Sequence, residues 1–264
     1  MTLDEAAARL LRAQVNGAAT LGDAELAAAL RLLSKWRSQK IANIIVARQG
    51  STVQAGPFAG LRLGATGTEG GHAPRLLGCY EQELHPHLER LVAQGFRRVV
   101  NIGCADGYYA VGLARRMPQA EIIARDTSPA AQAACAATAA ANGVAARIAI
   151  GGEVGHAELA TLAGPGSWLV VDIEGGEDAL LDPIAVAELA GTTILAECHE
   201  GPRPGVTDRL AARFAPTHRV TRIAAALGGA TMPGWMEGLS HLDQLLATWE
   251  WRSAPTPWLV LEPA

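Results

Sequence analysis

Asn101, Asp126, Asp172 and Glu197 stand where apolar, β-branched runs of the chain stop, and Glu174, His199 and Glu200 follow in the turns after the last two. In an open α/β sheet, ligands collect beyond the carboxyl ends of the strands, so these side chains are the candidates for chemistry. A neutral imidazole or a carboxylate set against a bound hydroxyl can take its proton, and His199 is the natural base. The same neighbourhood offers a second chemistry. Asp172 and Glu174, with Glu197 and His199, bring three carboxylates and an imidazole onto neighbouring strand ends, a mainly oxygen donor set suited to Mg2+ or Mn2+. Without a metal, so many acids favour a cationic or amine substrate. A structural role is also open to them: Glu174 and Glu177 sit where they can cap the short helix that follows, whose dipole favours acids.

Residues 97–129, RRVVNIGCADGYYAVGLARRMPQAEIIARDTSP, form the unit that must position the rest. Arg97 to Ile102 reads as a buried strand. Gly103, Ala105 and Gly107 make a small-residue turn, Tyr109 to Met117 is apolar at helical spacing, and Glu121 to Ala124 leads to Asp126. Small residues let backbone approach a ligand, and the helix N-terminus presents free N–H groups. A carboxylate about twenty residues after the turn can accept hydrogen bonds from both ribose hydroxyls. The unit is a nucleoside cradle. It lacks the glycines of the nicotinamide fingerprint, which counts against a dehydrogenase.

On the segments Val99-Val100-Asn101-Ile102-Gly103-Cys104-Ala105-Asp106-Gly107, Asp126 and Asp172-Ile173-Glu174-Gly175-Gly176-Glu177, the chain resembles the class I S-adenosylmethionine-dependent methyltransferases, and the last segment looks most like their FkbM-type branch. It departs from the pattern at Asn101, usually an acid, and at Ala105, usually glycine. The resemblance implies that Asn101, Gly103, Cys104, Asp106, Asp126, Thr127 and Asp172 hold S-adenosylmethionine, with Gly152 and Glu153 beside the adenine and Tyr80 or Glu81 at the methionine end. It implies methyl transfer to an oxygen, or to a nitrogen, of a small specialised metabolite, with His199, Asp172 and Glu174 doing the chemistry. It also implies a divalent ion in some members, here at Asp172, Glu174, Glu197 and His199. A nucleoside-binding module without catalysis is the alternative that Asn101 keeps open.

The fold expected is α/β: a doubly wound, mostly parallel, Rossmann-like methyltransferase sheet of seven strands with a helical N-terminal extension. Strands are expected at 97–102, 121–124, 146–150, 168–171, 192–196, 219–224 and 258–261, the last inserted antiparallel. Residues 1–50 form the extension, a packing or dimer element or a lid. Residues 51–78 are glycine-crowded and read as a hairpin (52–54 with 60–63) and a mobile loop at 64–75. Residues 79–264 form the catalytic domain, opened by a helix from about Leu77 to Ala93. His85 and His87 on that helix face different sides and make no metal pair. Trp235, in the irregular stretch 225–238, reads as packing or as a substrate wall.

The 264 residues suit one such domain plus an extension. A net charge of −4 without basic runs argues against a nucleic-acid partner. Cys79, Cys104, Cys135 and Cys198 form no C-x-x-C pair and read as small buried hydrophobes in a reducing compartment. No leader or membrane-spanning run stands out. The expectation is a soluble cytoplasmic enzyme, without membrane partners, that forms a homodimer through the N-terminal helices.

Overall fold

The computed structural model describes residues 1–17, 20–64, 71–226 and 232–264. Its strands are β1 (Arg98–Ile102), β2 (Glu121–Arg125), β3 (Ile148–Gly151), β4 (Ser167–Val171), β5 (Thr193–Glu197), β6 (His218–Ile223) and β7 (Trp258–Pro263). The helices are α1 (Leu3–Gly17), α2 (Asp23–Gln49), α3 (His72–Leu77), α4 (His85–Gln94), α5 (Tyr108–Arg116), α6 (Pro129–Ala141), α7 (His156–Leu162), α8 (Glu177–Leu180), α9 (Val206–Phe214) and α10 (His241–Thr248). The strands form one seven-stranded sheet in the order β3-β2-β1-β4-β5-β7-β6. β1 to β5 pair in parallel, while β7 is antiparallel to both β5 and β6. This is the doubly wound, Rossmann-like methyltransferase sheet expected from the sequence, with the last strand reversed.

Alternation along the strands builds two cores. Val99, Trp168, Leu195, Trp258 and Val260 pack with residues of α2 to α6 and α10 on one face. Val100, Leu169, Ile194, Leu259 and Leu261 pack with residues of α7 to α9 on the other. The central strands β4 and β5 are buried throughout, as parallel strands covered on both faces must be. Each fully buried large side chain of this kind contributes about 1.5–3 kcal/mol. Apolar residues at both parities of β4 are therefore the physical reason that this strand is central.

The N-terminal helices are docked on the sheet domain. Arg37 of α2 makes a two-pronged ion pair with Asp243 of α10, both contacts at 2.6 Å. Arg31 of α2 donates to the carbonyls of Trp251 and Arg252, and the Trp251 indole donates to Ser38 at 3.2 Å. This ties α2 to the segment that follows α10.

Several local expectations are corrected. The predicted loop at 64–75 overlaps α3 (His72–Leu77), whose residues are all buried; residues 65–70 lie outside the described part of the chain. Pro74 sits in the first turn of α3, where its missing N–H is not needed, and Gly78 ends it in the left-handed region at φ 80°. Thr52 and Arg62 meet in a single antiparallel bridge rather than a hairpin of strands. The helix expected from Leu77 begins only at His85, because Glu81 turns the chain at φ 50° and a 3-10 turn covers Gln82–Leu84. His85 is half-buried against the Tyr80 carbonyl, 3.1 Å away. Between β4 and β5, helix α8 is a single turn and the second segment is a 3-10 turn at Ala187–Gly191. In the stretch 225–238, residues 227–231 lie outside the described part, and Gly234–Gly238 is a 3-10 turn. Among the described residues no helix is long and apolar enough to cross a membrane.

Candidate functional site

The backbone at the end of β1 decides where a ligand can lie. Gly103 has φ +81°, and a Cβ there would sit 1.6 Å from the Asp172 carbonyl oxygen. Only glycine allows the exits of β1 and β4 to touch in this way. Two cavities meet at this contact, sharing Gly103, Asp172 and Glu174 in their walls.

The first cavity, about 530 Å³, lies over the ends of β1, β2 and β3. Asp126, Thr127, Gly152 and Glu153 line it together with apolar Val154 and Ile173. Asp126 is held in place at both oxygens: Oδ2 accepts the Ala105 N–H at 2.9 Å and Oδ1 accepts the Ser128 N–H at 2.8 Å. A carboxylate has about four acceptor positions, so Asp126 keeps capacity for two hydroxyl donors. Apolar walls for a ring and a fixed acid at one end suit a nucleoside.

The second cavity, about 390 Å³, lies over the ends of β1, β4 and β5 beneath α2. Its chemistry centres on His199, which follows β5. Nδ1 lies 2.7 Å from Glu177 Oε1. Glu177 is fully buried, and the same oxygen accepts the backbone N–H groups of Gly175 at 3.0 Å and Ile173 at 3.3 Å. That fixes both the carboxylate and the imidazole plane. Nε2 then faces three acids: Glu174 at 3.4 Å, and Asp172 and Glu197 at 3.5 Å each. Ligand atoms of Asp172, Glu174 and His199 all lie within 4.8 Å of one another. A histidine held by a carboxylate on one nitrogen and aimed into carboxylates with the other is the arrangement that orients a metal-binding imidazole.

The electrostatics of this group are those of unbalanced negative charge. Burial pulls the His199 pKa down, but the Glu177 hydrogen bond and the charges of Asp172, Glu177 and Glu174 outweigh it and leave it raised. Burial, Asp172 and Glu81 push Glu197 well above the carboxylate range. Burial likewise raises Asp172, against the pull of His199. All three shifts favour the protonated forms, so positive charge is what this group lacks. This bears on the expectation of a neutral His199 base, because the surrounding acids favour the protonated imidazole.

Arg252 answers part of the charge. Its Nε donates to Glu250 at 2.9 Å, and its terminal nitrogens lie 3.4–3.5 Å from Glu81, Glu83 and Glu197. Glu81 is 1% exposed, and burial pushes its pKa up to about 8. It accepts a short hydrogen bond from the Tyr109 hydroxyl. Among the described residues, the non-glycine positive-φ positions are Glu81, Ala105, Glu174 and Trp251. All line the second cavity except Glu81, which stands behind Tyr109 and Arg252 in its wall. Such backbone costs about 1–3 kcal/mol per residue and clusters at functional sites.

The structure brings most of the expected residues to this double cavity. Asp126, Thr127, Gly152 and Glu153 line the first part, Tyr80, Cys104, Asp106, Glu197 and His199 the second, and Gly103, Asp172 and Glu174 both. Asn101 lies instead within the sheet, 1% exposed, its amide directed at the Val170 carbonyl 3.4 Å away. Glu200 turns away to accept the N–H groups of Gly205 and Thr207 at the start of α9. Trp235 packs under Arg48 of α2, 4.7 Å from ring centre to guanidinium, and does not line either cavity. Sequence reasoning missed Arg75, Tyr108, Tyr109, Glu250, Trp251 and Arg252, which line the second cavity. Tyr108 and Tyr109 open the helix after the glycine turn and were legible there. Arg252 follows α10, far from any motif.

No family model and no curated protein matches this chain. Solved structures do resemble it in architecture. Cofactor-bound Rv0187 from MTB shares 15% identity over 92% of this chain and 98% of its own, with a TM-score of 0.49. An O-methyltransferase from Bacillus cereus in complex with SAH shares 13% over 86% and 90%, with a TM-score of 0.48. The O-methyltransferase TomG from Streptomyces achromogenes, involved in tomaymycin synthesis and solved with SAM, shares 16% over 86% and 89%, with a TM-score of 0.45. With identities this low and TM-scores below 0.5, nothing about activity follows from these likenesses, and the geometry above must carry the functional reading.

Proposed function

We propose that this chain is an S-adenosylmethionine-dependent methyltransferase that acts on an oxygen of a small-molecule acceptor, with a divalent cation held by Asp172, Glu174 and His199. The observation that carries the reading is the junction at Gly103, where a nucleoside-shaped cavity ending in Asp126 opens directly onto the acid-ringed His199. When bound, S-adenosylmethionine supplies a methyl group already activated on a sulfonium, and a divalent cation supplies a Lewis acid for an acceptor hydroxyl.

The protein's own part is placement and proton handling. Asp126 takes the ribose hydroxyls. Asp172, Glu174 and His199 gather the positive charge and the acceptor oxygen beside the sulfur-bound methyl. As the acceptor oxygen bonds to the methyl carbon, the carbon–sulfur bond breaks and the thioether leaves neutral. The hydroxyl proton passes to Glu197, the acid 3.5 Å from Nε2 that stands outside the metal-binding trio. A second reading makes His199 itself the base; its bond to buried Glu177 favours that role. The run from Asp172 to Glu177 supports placing the chain in the FkbM-type branch. The exposed Leu10, Leu26 and Leu30 of α1 and α2 support a homodimer through these helices.

Calorimetry with S-adenosylmethionine and its demethylated product tests the core of the proposal, and absence of binding would refute it. Prolonged chelation separates the two readings of His199. Loss of activity restored by Mg2+ or Mn2+ supports the metal. Chelation-resistant activity that His199→Ala abolishes supports the base.

A further inference from the structure

The second cavity is lined by cations as well as acids, and their donors are not equally spent. Arg252 is surrounded by Glu81, Glu83, Glu197 and Glu250. Arg31 gives its donors to two backbone carbonyls. Lys35 lies over the Trp251 ring, 5.1 Å from its centre. Arg75, on α3, is different. It is 4% exposed and stacks on Tyr80 and Tyr108, 4.6 and 5.6 Å from the ring centres. One terminal nitrogen pairs with Asp106 at 3.0 Å, while its Nε has no partner. Asp106, also 4% exposed, has its other oxygen, Oδ1, unpartnered.

A buried donor and a buried acceptor left open on one ion pair are costly unless a ligand completes them. The pair stands in the wall immediately beyond the Gly103-Cys104-Ala105 turn. A nucleoside seated in the first cavity must send its sulfonium arm past that turn. The arm ends in an α-carboxylate and an α-ammonium, which are the complements of an unspent guanidinium donor and an unspent carboxylate acceptor. The planar fork of arginine, with five N–H donors, can serve Asp106 and a second carboxylate together.

We infer that Arg75 and Asp106 form a receptor for the zwitterionic amino-acid end of S-adenosylmethionine, Arg75 taking the carboxylate and Asp106 the ammonium. This rests on the methyltransferase reading above. Arg75 is thus a binding residue that the glycine-turn motif does not include, and α3 is the element that carries it.

The test compares two ligands by titration calorimetry: S-adenosylmethionine and its decarboxylated analogue, which keeps the ammonium and lacks the carboxylate. The wild-type protein should prefer the complete ligand by about ten- to hundredfold, the range for a charge-assisted bond. Arg75→Gln should abolish that preference, weakening S-adenosylmethionine while leaving the analogue within about twofold. Arg75→Lys, which keeps the charge beside Asp106 and with it the fold, should retain part of the preference. If Arg75→Gln unfolds, the double variant Arg75→Gln/Asp106→Asn removes both charges together and should show the same loss. Equal weakening of both ligands, an undiminished preference, or loss of the preference in Lys35→Gln instead would overturn the assignment. A wild-type protein that binds neither ligand overturns the methyltransferase reading itself, whereas tight wild-type binding with an unaffected Arg75 variant overturns only the receptor.

Discussion

Glu177→Gln is the sharpest perturbation of the proposed centre, because the side-chain hydrogen bonds of Glu177 go to the groups it positions. Its Oε1 takes the His199 ring at 2.7 Å and two backbone N–H groups, while Oε2 is buried without a partner. The amide cannot flip, since an NH2 at the Oε1 position would face three donors. It must therefore sit at the Oε2 position, as a buried donor with nothing to bond. Losing the charge-assisted bond costs about 1.5–3 kcal/mol, and the stranded donor adds about 1–3. A total near 4 kcal/mol corresponds to a drop in Tm of about 8–16 °C for a chain of this size. The pH dependence has a sign. His199 is raised, so its contribution is full below the unfolded value and fades as pH rises through the folded one. Glu177 is lowered: burial opposes the shift, but His199 and the backbone donors outweigh it, so its contribution fades as pH falls below the ordinary carboxylate range. The stability gap between wild type and variant should be widest at mildly acidic pH and narrow toward pH 9. Urea unfolding at several pH values measures it, and NMR of the His199 ring should show its titration moved down in the variant. Mn2+ affinity should fall about ten- to hundredfold. A His199 titration unmoved by Glu177→Gln would refute the account of how this imidazole is held.

Other perturbations reach different parts of the molecule. Gly103→Ala places a methyl 1.6 Å from the Asp172 carbonyl in a left-handed backbone, so the exits of β1 and β4 must part; we expect at least about 3 kcal/mol of destabilisation and loss of nucleoside binding, and a variant that binds normally would contradict the junction. Glu262 on β7 is gripped by Arg90, Arg219 and Gln94, which outweigh burial and hold its pKa down at about 2. Its contribution is present above the unfolded value near 4.5 and is lost as pH falls toward 2. Because Arg219 is largely exposed, we expect about 1–2 kcal/mol, after discounting for solvent screening. Glu262→Gln should therefore be less stable at pH 7 by that amount in urea and equal to wild type at pH 2, and a constant gap would contradict it.

The sheet was legible because buried parallel strands must be apolar on both faces, and runs such as Trp168 to Val171 have no other use. The order of glycine turn, helix, strand and acid placed Asp126 and Gly103 in the same way. What escaped notice follows one physical rule. Short elements held by tertiary contacts leave no periodic trace: α3 has only six residues and is buried on every side, so its glycine-rich surroundings dominated the reading and hid Arg75. Glu81 looked like a helix-opening acid, but the helix starts later and Glu81 is buried against Arg252, 171 positions on in the sequence and 3.4 Å away in space. Asn101 looked like a strand-end ligand. It lies inside β1, as the expected strand 97–102 already placed it, and its buried amide is directed at the Val170 carbonyl of the neighbouring strand rather than at a ligand.

The charge around His199 and Arg252 leads to one more expectation. Asp172, Glu174, Glu197, Glu177, Glu81, Glu83 and Glu250 crowd a region in which Arg252 and His199 are their ion-pair partners, while Arg75, Arg31 and Lys35 stand elsewhere in the cavity wall. Such a set cannot stay fully ionised in low dielectric, which is why Glu81 rises to about 8 and Glu197 rises well above its ordinary range. Near pH 7 Glu81 therefore holds a proton that a bound cation would replace. A divalent ion at the trio, or a sulfonium beside it, should therefore expel protons on binding, as metal sites generally do. Calorimetric titration of Mg2+ or of S-adenosylmethionine in buffers of different ionisation enthalpy reads this directly. The buffer takes up the released proton, so the observed enthalpy should fall as buffer ionisation enthalpy rises, with a slope of about minus one at pH 7. The slope should shrink toward pH 9, where Glu81 has already lost its proton. In Glu81→Gln the release should fall while binding persists. Binding enthalpies that do not depend on the buffer would show that the acids around His199 were ionised from the start, and that their charge is not what draws a cation to this site.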